Sequence, residues 1–468
     1  MSELAGKRVV VVGLGASGVA AVRLCLRLGA RVVANDGKPA GALSGEARAL
    51  EAQGATLVTG GHAAARMTEA DVIVVSPGVP QLAEIDAAVR SGVPVWGEVE
   101  LAVRSMTYPA PVVAIGGTNG KSTTTSLVGA LLEDGGRRVF VGGNLGDPLA
   151  ERAAERFDFV VLEVSSFQME RVDRFRPHVA ALLNVTDDHL DRYPSFDDYA
   201  RAKGNAFAGQ TAGDWAIVPA GDATCAREAG RGRGSLVTFG PGGTVDVTGD
   251  AVIDRRSGEA FARADMALTG GHNALNVAAA IACVVPFGVD AQTIRRVLEE
   301  FRGLPHRTAL VAEIGHVRFY DDSKGTNVGA AVTALEGLVE PSAVLIAGGR
   351  DKGGSYAPLA GALGRKGRAA VLLGESADAI AKAIGDRVPV RRAATMDEAV
   401  QIAASLAEPG DAVLLSPACS SFDMFRDYKH RGDEFVRAVG ALGSPAALRE
   451  DGGHHDQTTP AAGRGSAR

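Results

Sequence analysis

Short apolar runs alternate with helical periodicity along most of the chain, and glycines mark the joins. Arg8–Val12 reads as a strand, Ala20–Leu28 as a helix, and Arg31–Ala34 as a second strand ending near Asp36. Further strands are expected at Thr56–Val58, Val72–Val75 and Val93–Val95. The proline-bearing stretch from Tyr108 to Pro111 closes this segment, and Val112–Ile115 opens another. The second segment, 111–303, carries strands at Val112–Ile115, Val139–Val141, Phe159–Leu162 and Ala180–Asn184 with helical stretches between them. Between 232 and 269 the alternation around Val245, Val247 and Val252 suggests a β-rich insertion. Helices return at His272–Val285 and Ala291–Phe301. Gly303-Leu304-Pro305 marks the next joint, and Ala343–Ala347, Ala369–Leu373 and Ala412–Leu415 are buried-type strands. The pattern therefore predicts an α/β protein of three domains, at 1–110, 111–303 and 304–450. Residues 451–468 form a polar tail without periodicity, expected to be disordered, and its His454–His455 pair reads as solvated rather than metal-binding.

Length agrees, since 468 residues at roughly 150 per domain suggest about three domains. Forty-nine Lys and Arg against 55 Asp and Glu leave a net charge of −6, with no basic stripe for nucleic acid. Cys25, Cys225, Cys283 and Cys419 are far apart, which argues against a disulfide framework or a zinc site. The longest apolar run, Val277 to Val285, is far below the ~18 residues a bilayer span requires. Met1 to Arg8 moves straight into a strand without a signal-like apolar region, so a cytoplasmic location is expected. Sixty glycines would suggest low complexity if they were scattered. They cluster instead at strand ends, as in nucleotide-binding α/β units.

Two glycine loops carry the chemistry. Gly13-Leu14-Gly15-Ala16-Ser17-Gly18 follows a strand and opens a helix. In such a loop the first glycine allows the turn, the second lets backbone approach a diphosphate, and the third packs helix on strand. Asp36 stands 18 residues beyond Gly18, where a ribose-binding acid would lie. A dinucleotide, another nucleoside diphosphate and a purely structural turn all fit this loop. The second loop is Gly116-Gly117-Thr118-Asn119-Gly120-Lys121-Ser122-Thr123, between a strand and the helix Thr124–Leu132. Its successive N–H groups can wrap a polyphosphate, Lys121 supplies a cation and Ser122 a hydroxyl for Mg²⁺, which points to an ATP site. Counted from Gly116 the run between glycines is one residue short of the general P-loop. Glu163 caps an apolar strand where Mg²⁺ would lie. Asp187, Asp188 and His189 follow another strand, and Lys203, on an apparent helix, taken alone reads as a surface lysine.

These residues together resemble the Mur ligase family of ATP-dependent amide-forming enzymes. The resemblance rests on GGTNGKSTT (116–124), GGNLG (142–146), LEVSSFQ (162–168), NVTDDHLDRY (184–193) and ARAK (200–203). It continues through HNALN (272–276), GLPHR (303–307), DDSKGTN (321–327), GGRDKG (348–353) and SPACSSFDMF (416–425). Within the family the chain is most similar to the D-glutamate-adding branch. The resemblance implies a Rossmann-like N-terminal domain, a central P-loop ATPase-type domain and a Rossmann-like C-terminal domain. It also implies that the first loop holds the diphosphate of a UDP-sugar, not NAD.

Motif by motif, Gly116, Thr118, Asn119, Gly120, Lys121, Ser122 and Thr123 would hold ATP phosphates. Asn276, Arg307, Asp322 and Lys324 would complete the ATP site, the last two from a third domain that swings over it. Two Mg²⁺ ions are implied, one on Ser122 and Glu163. The other would lie on His189 and on Lys203 after its carbamylation by CO₂. The catalytic set is Lys121, His189 and Lys203. Gly15, Ala16, Ser17, Asp36, Lys38, Ser76, Pro77, Gly78, Asn144 and His189 would bind UDP-N-acetylmuramoyl-L-alanine, although Gly37 and Lys38 are unexpected side chains there. Lys352, Ser421 and Tyr428 would grip D-glutamate. The implied reaction passes through an acyl phosphate, with small-molecule substrates, no nucleic acid or membrane partner, and a monomer. A sister ligase or a folylpolyglutamate synthetase would share the ATP site. A nicotinamide oxidoreductase would use only residues 13 to 36, and a non-catalytic nucleotide sensor would leave many strand-end polar groups idle.

Overall fold

The computed structural model describes residues 3–188, 192–351 and 355–442. His189, Lys352 and the tail from Asp451 therefore lie outside the described residues. Among those described, three sheets form. The first is all-parallel: β1 (Arg8–Val12), β2 (Arg31–Asp36), β3 (Thr56–Thr59), β4 (Val72–Val75) and β5 (Val95–Gly97), ordered β3-β2-β1-β4-β5. The order reverses between β1 and β4, and such a switch point opens a crevice at the carboxyl ends of the strands.

The middle sheet contains β6 (Val112–Gly116), β7 (Val139–Gly143), β8 (Phe159–Glu163), β9 (Val179–Leu182), β10 (Trp215–Pro219) and β11 (Ser235–Phe239). It is extended by β12 (Val245–Val247), β13 (Ala251–Asp254) and β14 (Glu259–Ala262), giving the order β14-β13-β12-β11-β10-β9-β6-β8-β7. The expected β-rich insertion is this extension, whose last two pairings are antiparallel. Every residue of β6 is buried, as a central parallel strand covered on both faces demands. Helix Gly271–Val284 is apolar nearly all round and is buried from Asn276 to Val284.

The third sheet, β15-β16-β20-β17-β18-β19, comprises Ala309–Ile314, Val317–Asp321, Ala343–Gly348, Gly367–Leu373, Val390–Arg392 and Ala412–Leu415 for β15 to β20 in chain order. β15 and β16 pair antiparallel at its edge, and the other ladders are parallel.

The cores are arranged unequally. One apolar cluster runs without a break from Val9 and Val11 of the first sheet, through Trp96 and Leu101, to Val112, Ala114 and Leu162 of the middle sheet. The third domain keeps its own two clusters, one on each face of its sheet.

Several boundaries differ from the pattern reading. Helix Ala16–Arg27 starts four residues before the periodicity shows, because its first turn faces the crevice rather than the core. The strand expected at Val93–Val95 is Val95–Gly97, since Pro94 can only accept a ladder bond, through its carbonyl, from the Ile73 N–H. The strand expected to reach Asn184 ends at Leu182, and the chain then turns toward the loop after β6.

Candidate active site

The loop after β6 is built for close approach. Gly117 and Gly120 have φ of 144° and 83°, and Gly120 caps helix Lys121–Glu133. A Cβ on Gly120 would stand 2.4 Å from Asn276 Oδ1, so only glycine fits between loop and helix. The expectation that successive loop N–H groups wrap a ligand needs correction at two positions. The Thr118 and Asn119 N–H groups donate to Asn184 Oδ1 at 3.1 and 2.9 Å, while Asn184 Nδ2 donates back to the Asn119 carbonyl at 3.1 Å. Asn184 thus splints the loop, leaving the helix N-terminus and Lys121 to face an anion.

A cleft of about 290 Å³ lies over this loop. The middle domain contributes Thr118, Asn119, Gly120, Lys121, Thr123, Asn144, Glu163 and Asn276 to it, and the third contributes Arg307, Asp322 and Lys324. Gly116 and Ser122 sit just beneath, buried. Ser122 Oγ donates a short hydrogen bond to Glu163 Oε2, Asn144 Nδ2 donates to Oε1 at 2.6 Å, and Arg307 Nη2 donates to Ser122 Oγ at 2.5 Å. Asn327 Nδ2 reaches Asn119 Oδ1 at 3.4 Å and Asp188 Oδ2 at 3.3 Å. The third domain is therefore already apposed to the loop through polar contacts.

Burial would raise the Glu163 carboxyl. Lys121, the bonds from Ser122 and Asn144, and Arg307 outweigh it and hold the group below the ordinary glutamate range. Asp322 goes the other way: burial pushes it up to about 7 despite the Ser416 hydroxyl at 2.6 Å and nearby Arg307. Lys203 is 5% exposed, not a surface lysine. Its ammonium donates to the Gly117 carbonyl at 2.7 Å and lies 4.5 Å from the Tyr199 ring centroid. Burial, with Lys121 nearby, drives its pKa well below the usual lysine value.

A second cavity, about 690 Å³, occupies the switch point of the first sheet. Gly15, Ala16, Ser17, Asp36, Lys38, Ser76, Pro77 and Gly78 line it, and Gly143 and Asn144 enter from the middle domain. Gly13 adopts φ 84°, and a Cβ on Gly18 would strike the Gly13 carbonyl at 1.8 Å. A Cβ on Gly15 would meet only open space. Asp36 braces the loop, accepting from the Leu14 and Lys38 N–H groups at 2.8 Å each. Asn144 lines both cavities.

Comparison with known proteins decides the family. Residues 7–97 match the Mur ligase MurD-like N-terminal domain, 115–284 the Mur ligase middle domain, and 306–419 the Mur ligase glutamate ligase domain. The UDP-N-acetylmuramoylalanine–D-glutamate ligase of Geobacter metallireducens is 46% identical over 451 residues, covering 94% of this chain and 99% of that protein. Its Anaeromyxobacter dehalogenans counterpart is 48% identical over 453 residues, covering 93% and 98%. The chain belongs to the Mur ligase family. Among solved structures, MurF ligase from Thermotoga maritima in complex with ADP matches at TM-score 0.60 and 18% identity, covering 94% of this chain and 97% of that one. UDP-N-acetylmuramate-alanine ligase from the same organism matches at TM-score 0.59 and 20% identity, covering 93% and 100%.

For a Mur ligase, the shortened loop is backed by Asn184 within the 184–193 run. The motif alone assigns that residue no role; its place just past the end of β9 is the sequence signal for one. Ser421 is buried, and Tyr428 starts helix Tyr428–Leu442 with its ring 3.9 Å from Lys324 Nζ. Neither is among the residues lining the cleft, and between their segments runs a strut the sequence did not reveal. Buried Arg431 donates to Ser323 Oγ at 3.0 Å, to the Ser323 carbonyl at 2.7 Å and to the Cys419 carbonyl at 3.2 Å. Such a guanidinium braces backbone.

Proposed function

We propose that this Mur ligase joins D-glutamate to UDP-N-acetylmuramoyl-L-alanine with ATP, in cytoplasmic peptidoglycan precursor synthesis. The full-length relatives that carry this activity in their names support it. The observation that carries it is Asn144, common to the two cavities: a nucleotide anchored on the first sheet ends its acyl arm beside the loop that holds ATP.

The ATP phosphates lie along the loop and the N-terminus of helix Lys121–Glu133, with Lys121 on the β/γ oxygens. Arg307, Asp322 and Lys324 close on the nucleotide from the third domain, and Asn276 braces the loop. The substrate carboxylate attacks the γ-phosphorus in line and expels ADP, giving an acyl phosphate. The amine of D-glutamate attacks the acyl carbon, and the tetrahedral adduct collapses to amide and phosphate. Lys352, Ser421 and Tyr428 receive D-glutamate, and closure of the third domain excludes water from the acyl phosphate.

The donor set suits Mg²⁺: an ionised Glu163 carboxylate beside the Ser122 hydroxyl offers hard oxygens of the kind that bind this ion together with phosphates. When bound there, Mg²⁺ neutralises charge on the transferred phosphoryl group. Lys203 suits carbamylation, because only a neutral amine attacks CO₂ and burial, with Lys121 nearby, lowers the pKa of this one and so favours its neutral form. With His189, the carbamate would hold the second ion. The chain acts as a monomer, and among the described residues no helix is long and apolar enough to cross a membrane.

The direct test incubates the protein with UDP-N-acetylmuramoyl-L-alanine, MgATP and each amino acid in turn. ADP release coupled to product with D-glutamate alone is expected. Release independent of the muramoyl nucleotide refutes the assignment.

A further inference from the structure

His62 was not among the residues the motifs indicated, yet it lines the cavity at the first sheet's switch point. Its setting fixes what it can offer. Asn35 is fully buried, and its amide Nδ2 donates to the Val58 carbonyl at 3.0 Å and the Gly61 carbonyl at 2.8 Å. The amide orientation is thereby set, leaving Asn35 Oδ1 as an acceptor 2.7 Å from His62 Nδ1. Nδ1 must carry the hydrogen in the neutral ring, so Nε2 presents a lone pair.

That nitrogen lies against Gly37: a Cβ built there would stand 3.1 Å from Nε2 and 3.4 Å from Cε1. The imidazole edge thus abuts the place where a residue-37 side chain would begin. The cavity has two ends. Asn144 marks the one beside the ATP cleft, the glycine loop after β1 lies between, and residues 37, 38 and 62 form the other, at the ends of β2 and β3. Under the function proposed above, on which this inference rests, the acyl arm points to Asn144 and the diphosphate sits at the glycine loop. The nucleoside then falls at the far end.

We infer that His62, held by buried Asn35, reads the uridine end of the substrate, its Nε2 accepting a hydrogen from the nucleoside. The donor is the uracil imide N–H or a ribose hydroxyl, which share this chemistry. His62 is a specificity-determining residue acting on binding, not on phosphoryl transfer.

Calorimetry with UDP as the probe tests this in the wild type and in His62→Ala. The variant is expected to bind UDP about five- to tenfold more weakly, as loss of one neutral hydrogen bond predicts. KM for the muramoyl nucleotide should rise in step, while KM for ATP and kcat at saturation stay within about twofold. N3-methyl-UDP and 2′-deoxy-UDP separate the sources: the analogue lacking the donated hydrogen should bind wild type weakly and be indifferent to the substitution. In case the variant fails to fold, ¹⁵N spectra of the wild-type histidines give a second reading. Addition of UDP should shift the His62 Nε2 resonance and leave Nδ1 nearly unmoved. An unaltered UDP affinity in folded His62→Ala, or an unmoved Nε2 signal on saturation, overturns the inference while leaving the ligase reading intact. Failure of the wild type to bind UDP at all would remove the ligase reading itself.

Discussion

Asn184 offers a sharp test of how the phosphate loop is kept open. Its side chain makes three hydrogen bonds to the loop backbone, at 3.1, 2.9 and 3.1 Å. At ~1 kcal/mol net for each, replacing it with the similarly sized leucine removes ~3 kcal/mol of support. If the loop must recover its shape to bind ATP, the whole loss appears in affinity, and Kd for ATP rises by about two orders of magnitude. Water entering the gap would soften this, so the figure is an upper bound. Asn184→Asp separates the contributions. Its carboxylate still accepts from Thr118 and Asn119 but cannot donate to the Asn119 carbonyl, and it adds negative charge near the phosphates. A loss of about tenfold or more is expected there, reduced by added salt. Calorimetric titration with the non-hydrolysable analogue AMPPCP, beside thermal unfolding, reads both effects. Wild-type affinity in a folded Asn184→Leu protein would refute the splint and return the two amides to the ligand.

Further expectations concern charge, metal and space. Glu98, buried at the seam of the first two domains, has one oxygen accepting from the Ala150 N–H and the other without a partner among the described residues, and burial pushes its pKa up to about 7. The folded state favours the neutral acid, so this group's contribution is present below pH ~4 and fades as pH rises through about 7, by ~3 kcal/mol in all. Glu98→Gln should flatten the pH dependence of the melting temperature between pH 5 and pH 8; an unchanged slope would contradict the burial argument. Lys203→Ala should cut turnover at least about a hundredfold, with partial rescue by short carboxylates, and full activity in the variant would reject a metal role for Lys203. Chelation of Mg²⁺ should abolish ADP release while UDP binding, measured by calorimetry, persists. Gly18→Ala should destabilise the first domain by several kcal/mol, because its methyl would stand 1.8 Å from the Gly13 carbonyl. Soluble protein with an unshifted melting temperature would show that the loop can yield.

Local signals carried most of the fold. β1, β4 and β20 lie at the residues where continuous valine and leucine runs put them, because parallel strands buried on both faces leave an apolar mark. The β15–β16 hairpin was missed: β15 is an edge strand with no fully buried position, and a register shift between Leu310 and Ala312 breaks the alternation that marks a half-buried strand. β19 is only three residues long and ends in two exposed arginines. In the site, Lys121, Ser122 and Glu163 were legible because strand-loop-helix grammar fixes them locally. Lys203 by its local pattern alone was not, and entered only through the family resemblance, since its burial depends on the loop at Gly117, 86 positions earlier. Asn184 and His62 were silent for the same reason: each acts through a neighbour brought close only by folding.

The unbroken apolar cluster shared by the first two sheets has a mechanical consequence. Sliding one of those domains on the other would expose core side chains, so the nucleotide anchor and the phosphate loop sit on a single stiff chassis. Arg307 and Asn327 hold the third domain by hydrogen bonds that water can replace at little expense. The travelling part is therefore the arm that brings the amino acid, and heating should melt it independently of a larger, jointly unfolding block.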